Sequence, residues 1–177
     1  MPVNPTNKDS KARLATEKKI TQEKVKQKKF AEGFRDINNE IKDALHDMTI
    51  SQQTSFRTTL HTKDIQSQIN DNLLIAEKVG GAEGESRKNI ARWMGESLKL
   101  GAQSLTDVSK HAEIQDLMEK VEQEKIRNLS KYRGANREIA VELNKQLDVA
   151  QRQLETSLAL ALEEKRRQEM QQAGTDM

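Results

Sequence analysis

The chain has proline only at positions 2 and 5, so no proline follows residue 5. Proline breaks or kinks helices because it lacks a backbone N–H and clashes with the preceding turn, and nothing of that kind interrupts a helix here. Apolar residues recur every three or four positions, as on one face of a helix, and not at the alternate positions of a strand. This first stripe consists of Phe30, Phe34, Ile37, Ile41, Leu45 and Met48. We therefore predict an all-α fold.

Further stripes extend the pattern along both halves of the chain. The first returns at Phe56 and Leu60 and shifts to another line at Ile65, which predicts a change of packing partner near residues 60 to 65. The second consists of Leu129, Tyr132, Asn136, Ile139, Leu143, Leu147, Ala150, Leu154 and Leu158. A period of about 3.6 residues favours nearly straight packing over an extended left-handed coiled coil. We predict an elongated long-helix hairpin, with kinks or close contacts at Gly95 and Gly101.

The predicted organisation is a single elongated helical domain over residues 13–170. One helix reaches to about residue 78, a glycine-rich turn covers residues 79–86, and helices cover residues 87–170. Flexible tails are expected at residues 1–12, where the tail is basic, and at residues 171–177.

The composition predicts that the helices need partners. Only 34% of the residues are hydrophobic and 3% are aromatic, whereas about 45–50% of an ordinary globular domain is apolar. We therefore expect that the chain cannot build a thick core alone. Two helical arms with one apolar stripe each leave part of those stripes uncovered, and the sequence accordingly predicts a homo-oligomer.

The segment KVGGAEGES marks the predicted bend between the two arms. It lacks the Gly-Lys-Ser/Thr ending and the preceding buried strand that a phosphate-binding loop requires. Glycine suits the left-handed position that ends a helix, and a serine hydroxyl can cap the start of the next one. The predicted turn residues are Gly80, Gly81, Gly84 and Ser86. Ile90, Trp93 and Met94 follow at helical spacing and are predicted to pack inside the hairpin or at a subunit contact.

A basic segment precedes the first apolar stripe, although the net charge of the whole chain is only +2. Its candidate contacts with DNA phosphates or with another anionic surface are Lys18, Lys19, Lys24, Lys26, Lys28 and Lys29. A solubilising helix end is the alternative, because no aromatic residue interleaves with these charges before Phe30.

No catalytic or metal-binding motif is evident in the sequence. Cysteine is absent, which excludes disulfides, thiolate metal sites and a cysteine nucleophile. Asp43, His46 and Asp47 form the nearest cluster, and a solvated charge pair explains it better than a ligand set. We predict that the protein is not an enzyme and needs no cofactor, and we see no apolar run long enough for a membrane span.

Three features follow one another along the chain: a basic helical segment, the turn GGAEGES with Ile90, Trp93 and Met94 after it, and a long helix rich in Gln, Asn and Arg. Over about residues 20–155, this arrangement resembles the smaller internal virion proteins, core or ejection proteins, of short-tailed podovirus-type phages. The resemblance implies ring-forming helical subunits near the portal in the virion interior. It also implies that they move to the host cell envelope with the ejected genome.

The same resemblance implies partners: other copies of the chain, other virion core and portal proteins, packaged DNA and, after ejection, the host membrane. Other classes of protein stay open at this stage. A capsid scaffolding protein, a coiled-coil adaptor and a nucleoid-type DNA binder would also be helical and highly charged.

Overall fold

A computed structural model describes residues 6–175, of which 92% are helical. Within that range the structure has six α-helices and no strand, which confirms the predicted all-α fold. The helices are α1 (Thr6–His46), α2 (Ile50–Thr59), α3 (Thr62–Val79), α4 (Gly81–Ser104), α5 (Lys110–Lys131) and α6 (Arg137–Thr175). A 3₁₀ turn, Gly134–Asn136, lies between α5 and α6.

The predicted first arm is three helices and not one. The first break, at residues 47–49, ends where Thr49 caps α2: its hydroxyl accepts from the backbone N–H of Gln52, and the Gln52 side chain accepts from the Thr49 N–H. Such a reciprocal pair satisfies two free helix donors. The second break lies at Leu60 and His61, and His61 adopts a left-handed backbone (φ 47°). The break was not predicted, but it falls near residues 60 to 65, where the apolar stripe shifts to another line.

The predicted second arm is also interrupted. Asp107 accepts hydrogen bonds from the backbone N–H and the hydroxyl of Ser109, which stabilise the turn between α4 and α5. Tyr132 is extended and Gly134 has a positive φ of 62°, so α5 and α6 are separate helices. The predicted stripe is therefore wrong at its start: Leu129 and Asn136 are exposed, because they do not belong to the helix that carries Leu143 and the residues after it.

The predicted tails are shorter than expected where the structure describes them. Residues 6–12 belong to α1 and residues 171–175 belong to α6. The remainder of the predicted tails, residues 1–5 and 176–177, lies outside the described residues.

The chain divides into two compact units. The first unit ends at Asp36 and contains most of α1, whose side chains are exposed from residue 9 to Lys29. Near its end, the rings of Phe30 and Phe34 stack with their centroids 6.2 Å apart.

The second unit begins at Ile37 and packs α4 against α3, α5 and α6, with α5 also against α6. Contrary to the expectation from composition, it has a core of its own. Small residues on α4 and α6, among them Gly101 and Ser157, let the two helices approach each other and are buried together with the apolar side chains. The core includes Phe56, Ile69, Ile90, Met94, Ala102, Ile114, Val121, Leu143, Leu147, Ala150 and Leu154.

Candidate functional site

The turn between α3 and α4 consists of Gly80 and the first residue of α4. Gly80 combines φ 59° with ψ −164°, and Gly81 has a φ of 55°. The backbone N–H of Gly80 donates to the Ala76 carbonyl, which closes the end of α3. This is a helix stop and helix start at the predicted place, but it is narrower than the predicted range of residues 79–86.

Gly84 and Ser86 are helical residues of α4, so their predicted role in the turn is wrong. Gly84 instead allows α3 and α4 to approach: a Cβ at this position would lie 2.8 Å from the carbonyl oxygen of Ala76. Ser86 does not cap a helix, because α4 has already begun at Gly81. Its hydroxyl hydrogen-bonds to the Ala82 carbonyl (3.1 Å) and to the Tyr132 hydroxyl (3.0 Å).

The predicted packing residues separate into two environments. Ile90 and Met94 are fully buried in the core of the second unit, as a packing contact requires. Trp93 is half-buried, and the Arg92 guanidinium lies 5.0 Å from the centre of its ring. Trp93 lines a groove between α4 and α5 together with Lys99, Glu113 and Lys120, among others. Its indole N–H is enclosed and finds no hydrogen-bond partner among the described residues.

A seam of small and polar residues joins α4 to α6. The Ser97 hydroxyl donates to the side-chain oxygen of Gln153 at 2.7 Å, and both residues are buried. One turn later along α4, a Cβ on Gly101 would lie 2.3 Å from the Ser157 hydroxyl oxygen. The prediction at Gly101 was a kink or a close contact, and the structure has the close contact. Ser97, Gln153 and Ser157 were not predicted.

Charged side chains connect α5 to α6. The ammonium group of Lys125 lies 2.6 Å from Asp148 and 3.2 Å from Glu122, and it also contacts Gln151. Burial by itself would lower the pKa of Lys125, but hydrogen bonds and charge attraction from Asp148 and Glu122 outweigh it, and the pKa is raised.

A similar cluster connects the last part of α1 to α4 within the second unit. The Lys99 ammonium lies 2.8 Å from Glu96 and 2.9 Å from Glu40. Burial opposes its charged form, yet hydrogen bonds to Glu96 and Glu40 raise the pKa of Lys99 overall. Both lysine clusters therefore stabilise packing between helices.

The predicted anionic-surface contacts all lie on α1 in the first unit, with exposed side chains. On a helix of about 3.6 residues per turn, Lys18, Lys19, Lys26 and Lys29 share one face. Lys24 and Lys28 project from the opposite side of the same helix. Lys11 lies on the face of the first group, and we call Lys11, Lys18, Lys19, Lys26 and Lys29 the lysine face.

Neither a metal centre nor a membrane span emerges from the described residues. Residues 6–175 contain no group of three His, Cys, Asp or Glu side chains placed to hold a metal ion. His46 and Asp47, which belong to the DALHD cluster, are exposed and 4.0 Å apart. Among the described helices, none has both the length and the apolar character that a bilayer crossing requires.

Comparisons of the chain with protein-family models, with curated proteins and with solved structures gave no match. The candidate sites therefore rest on the geometry above. The polar seam could have been found in the sequence, because Ser97, Gly101 and Ser104 place small side chains on one line of α4. The partners on α6 leave no comparable signal, since Gln153 and Ser157 lie among many polar residues.

Proposed function

We propose that this chain is a structural virion protein: an internal core or ejection component that oligomerises near the portal and assists genome delivery across the host envelope. The proposal places it in the virion interior and, after ejection, in the host cell envelope. Its partners are further copies of the chain, other core and portal proteins, packaged DNA and the host membrane. The family resemblance of the sequence motivates this assignment.

The observation that best supports the proposal is the difference in side-chain burial between the two units. The second unit buries its own core, whereas the first unit is a helix whose described side chains are exposed over residues 9–29. A helix that packs against no other part of its own unit is suited to contacts with other molecules, because most helices in proteins are stabilised by packing against a surface. An assembly subunit needs such an element, and an enzyme has no evident use for it.

Exposed apolar residues on the second unit offer a surface for a second copy of the chain. Ile126 and Leu129 adjoin each other on α5, with 62% and 49% of their surfaces exposed. Residues three apart lie next to each other on a helix and form one patch. Burying such a patch against another copy removes apolar surface from water, which favours association.

Particle shape and stoichiometry test the proposal directly. We would measure light scattering and negative-stain images of the purified full-length chain, with and without lipid vesicles. Rings of many copies, or pores that appear with lipid, are the expected result. Ile126→Gln combined with Leu129→Gln should reduce the particle size, whereas Ile50→Gln, at an exposed single apolar residue on α2, should not.

Two outcomes would contradict the proposal. A monomer that stays compact at high concentration and leaves vesicles intact would exclude an assembling conduit. A discrete dimer without effect on vesicles would instead favour a scaffolding or adaptor protein.

A further inference from the structure

We propose that the lysine face of α1 binds the phosphate backbone of duplex DNA. Its members lie within an arc of about 100° on the helix and extend over about 27 Å from Lys11 to Lys29, at a rise of about 1.5 Å per residue. All five side chains are exposed in the first unit. They form a continuous positive strip that is available to a ligand.

Negative charge is excluded from this strip. The carboxylates of the same stretch, Asp9, Glu17, Glu23 and Glu32, all project outside the arc. The only ion pair that reaches the lysine face among the described residues joins Lys26 to Glu23 at 3.5 Å, at the edge of the arc. Asp36 returns to the line of the strip two turns after Lys29, where the first unit ends.

The other side of the helix has a different character. Lys24 and Lys28 lie there among Glu17 and Glu32, and the Lys28 ammonium is 4.0 Å from Glu32. Mixed charges of this kind are typical of a solvated helix surface. The segregation of charge between the two sides therefore indicates that the lysine face has a ligand of its own.

Duplex DNA fits this face better than a membrane or a single strand does. A helix that lies on a membrane needs an apolar face, but Ile20 projects about 130° away from the line of Leu14 and Val25. Single strands are held largely by stacking on aromatic side chains, and residues 9–29 contain none. Phosphate contacts need only exposed cations in a row, and duplex DNA offers about one charge per 1.7 Å of its axis.

The number of lysines sets the expected salt dependence. Each neutralised phosphate releases bound counterions, and the slope of log affinity against log salt is about −0.9 per contact. Five contacts give a slope of about −4.5. Loss of two lysines from the face should reduce its magnitude by about 1.8.

The test uses the full-length chain and a fluorescently labelled random-sequence duplex, with affinity measured by anisotropy over a series of salt concentrations. Lys18→Gln combined with Lys29→Gln removes two charges from the lysine face. Lys24→Gln combined with Lys28→Gln removes two charges from the opposite side of the same helix and serves as the control. Glutamine and lysine have similar helix propensities, and circular dichroism should give equal helix content for both variants.

For Lys18→Gln combined with Lys29→Gln, we expect the slope of log affinity against log salt to fall in magnitude by about 1.8. The control should keep the wild-type slope. Equal losses in both variants would overturn the proposal, because net charge and not the lysine face would then control binding. Absence of salt-dependent duplex binding would also overturn it, as would tighter binding to a single strand or to vesicles of anionic lipid. The inference rests on the proposed function only where it identifies the DNA as the packaged genome, and the anisotropy result is independent of whether the chain assembles into rings.

Discussion

Gly101 occupies a position in α4 where a side chain has no room. Its ideal Cβ would lie 2.3 Å from the Ser157 hydroxyl, 3.1 Å from the Ser157 Cβ and 3.3 Å from the Phe56 ring. We expect Gly101→Ala to lower the free energy of unfolding by about 1–3 kcal/mol through overpacking. Alanine's better helix propensity, about 1 kcal/mol, offsets part of this loss. Urea unfolding followed by circular dichroism measures the difference.

Two comparisons separate overpacking from other effects of this substitution. Gly33→Ala places a methyl group in a helix position with no neighbour within 4 Å, so it should not destabilise the protein. In a Ser157→Ala background, Gly101→Ala should cost less than in the wild type, because the nearest clashing atom is gone. An equal cost in both backgrounds would contradict the close contact.

Single residues also mark the limit of sequence reasoning. The position of Gly101 inside a predicted helix indicated a kink or a close contact, because an interior helix glycine is costly without a packing reason. Ser86 was assigned as a helix cap from the same kind of local evidence, and that assignment failed. Its actual partner, Tyr132, is 46 residues away along the chain. Local patterns identify residues with special geometry but do not determine which distant residue they contact.

The connection between α3 and α4 depends on a backbone conformation that is almost exclusive to glycine. Gly80 combines φ 59° with ψ −164°, a region that costs other residues about 1–3 kcal/mol. We therefore expect Gly80→Ala to lower the free energy of unfolding by about that amount, as measured in urea. Gly174→Ala, in α6 with no neighbour within 4 Å and no positive φ, is the matched control and should have no such cost. Equal stability of the two variants would show that the turn accommodates a side chain.

Contact between α5 and α6 should weaken at alkaline pH because of Lys125. Its pKa is raised in the folded protein by Asp148 and Glu122, against the effect of burial. A group whose folded pKa is raised stabilises the protein below its unfolded pKa and loses that contribution as the pH rises through the folded pKa. The unfolded pKa of lysine is about 10.4. We therefore expect the stability advantage of wild type over Lys125→Gln to be present at pH 8 and to decline only as the pH rises above about 10.4.

Unfolding midpoints at pH 8 and at about one pH unit above the unfolded lysine pKa test this prediction. The advantage at pH 8 should be about 1 kcal/mol, because Asp148 and Glu122 keep 46% and 56% of their side chains exposed and remain solvated without the lysine. Lys120→Gln on the same helix is the control, since its pair with Asp116 is exposed and should add little. An advantage that stays constant with pH would refute the role of Lys125.

Helices were easier to predict than the breaks between them. The stripe from Leu143 to Leu154 became a buried helix face, because a 3.6-residue period has few other solutions. In the stripe from Ile37 to Met48, Ile37 is buried on α1, Ile41 and Leu45 are half-buried, and Met48 is buried in the break after the helix. The break at Thr49 has a visible signal, a threonine followed three residues later by glutamine. The only sequence signal for the break after Lys131 is the glycine at position 134, and glycine also occurs within helices elsewhere in the chain.

The composition predicted the molecule's overall character less well than its helices. A low apolar content indicated that the chain would lack its own core, yet the second unit has one. The reason is that the second unit also buries small residues that the apolar content does not count, such as Ser97, Gly101 and Ser157. The two units therefore differ in how much of their surface is buried, and the composition does not reveal that difference.

The same difference predicts the order in which a protease cuts the chain. Trypsin cleaves after lysine and arginine, and cleavage needs the local backbone to open, which costs least where few side chains are buried. Cuts should therefore occur first within the first unit, after exposed residues such as Lys18 and Lys26. Sites after Lys165 and Arg167 in the exposed end of α6 should follow early. Mass spectrometry of a time course of limited digestion measures this order.

Trypsin cleavage after Lys99 and Lys125 can be compared with cleavage in the first unit, because each of these lysines is held by two carboxylates within the second unit. A fragment that contains both of them should persist after the first unit has been removed, and it should keep its helix content. Lys125→Gln removes one trypsin site without changing the site at Lys99, so the rate at Lys99 in that variant reports the stability of the packing itself. Cleavage after Lys99 as fast as after Lys18 would mean that the second unit opens as readily as the lone helix, and the division of the chain into two units would not hold.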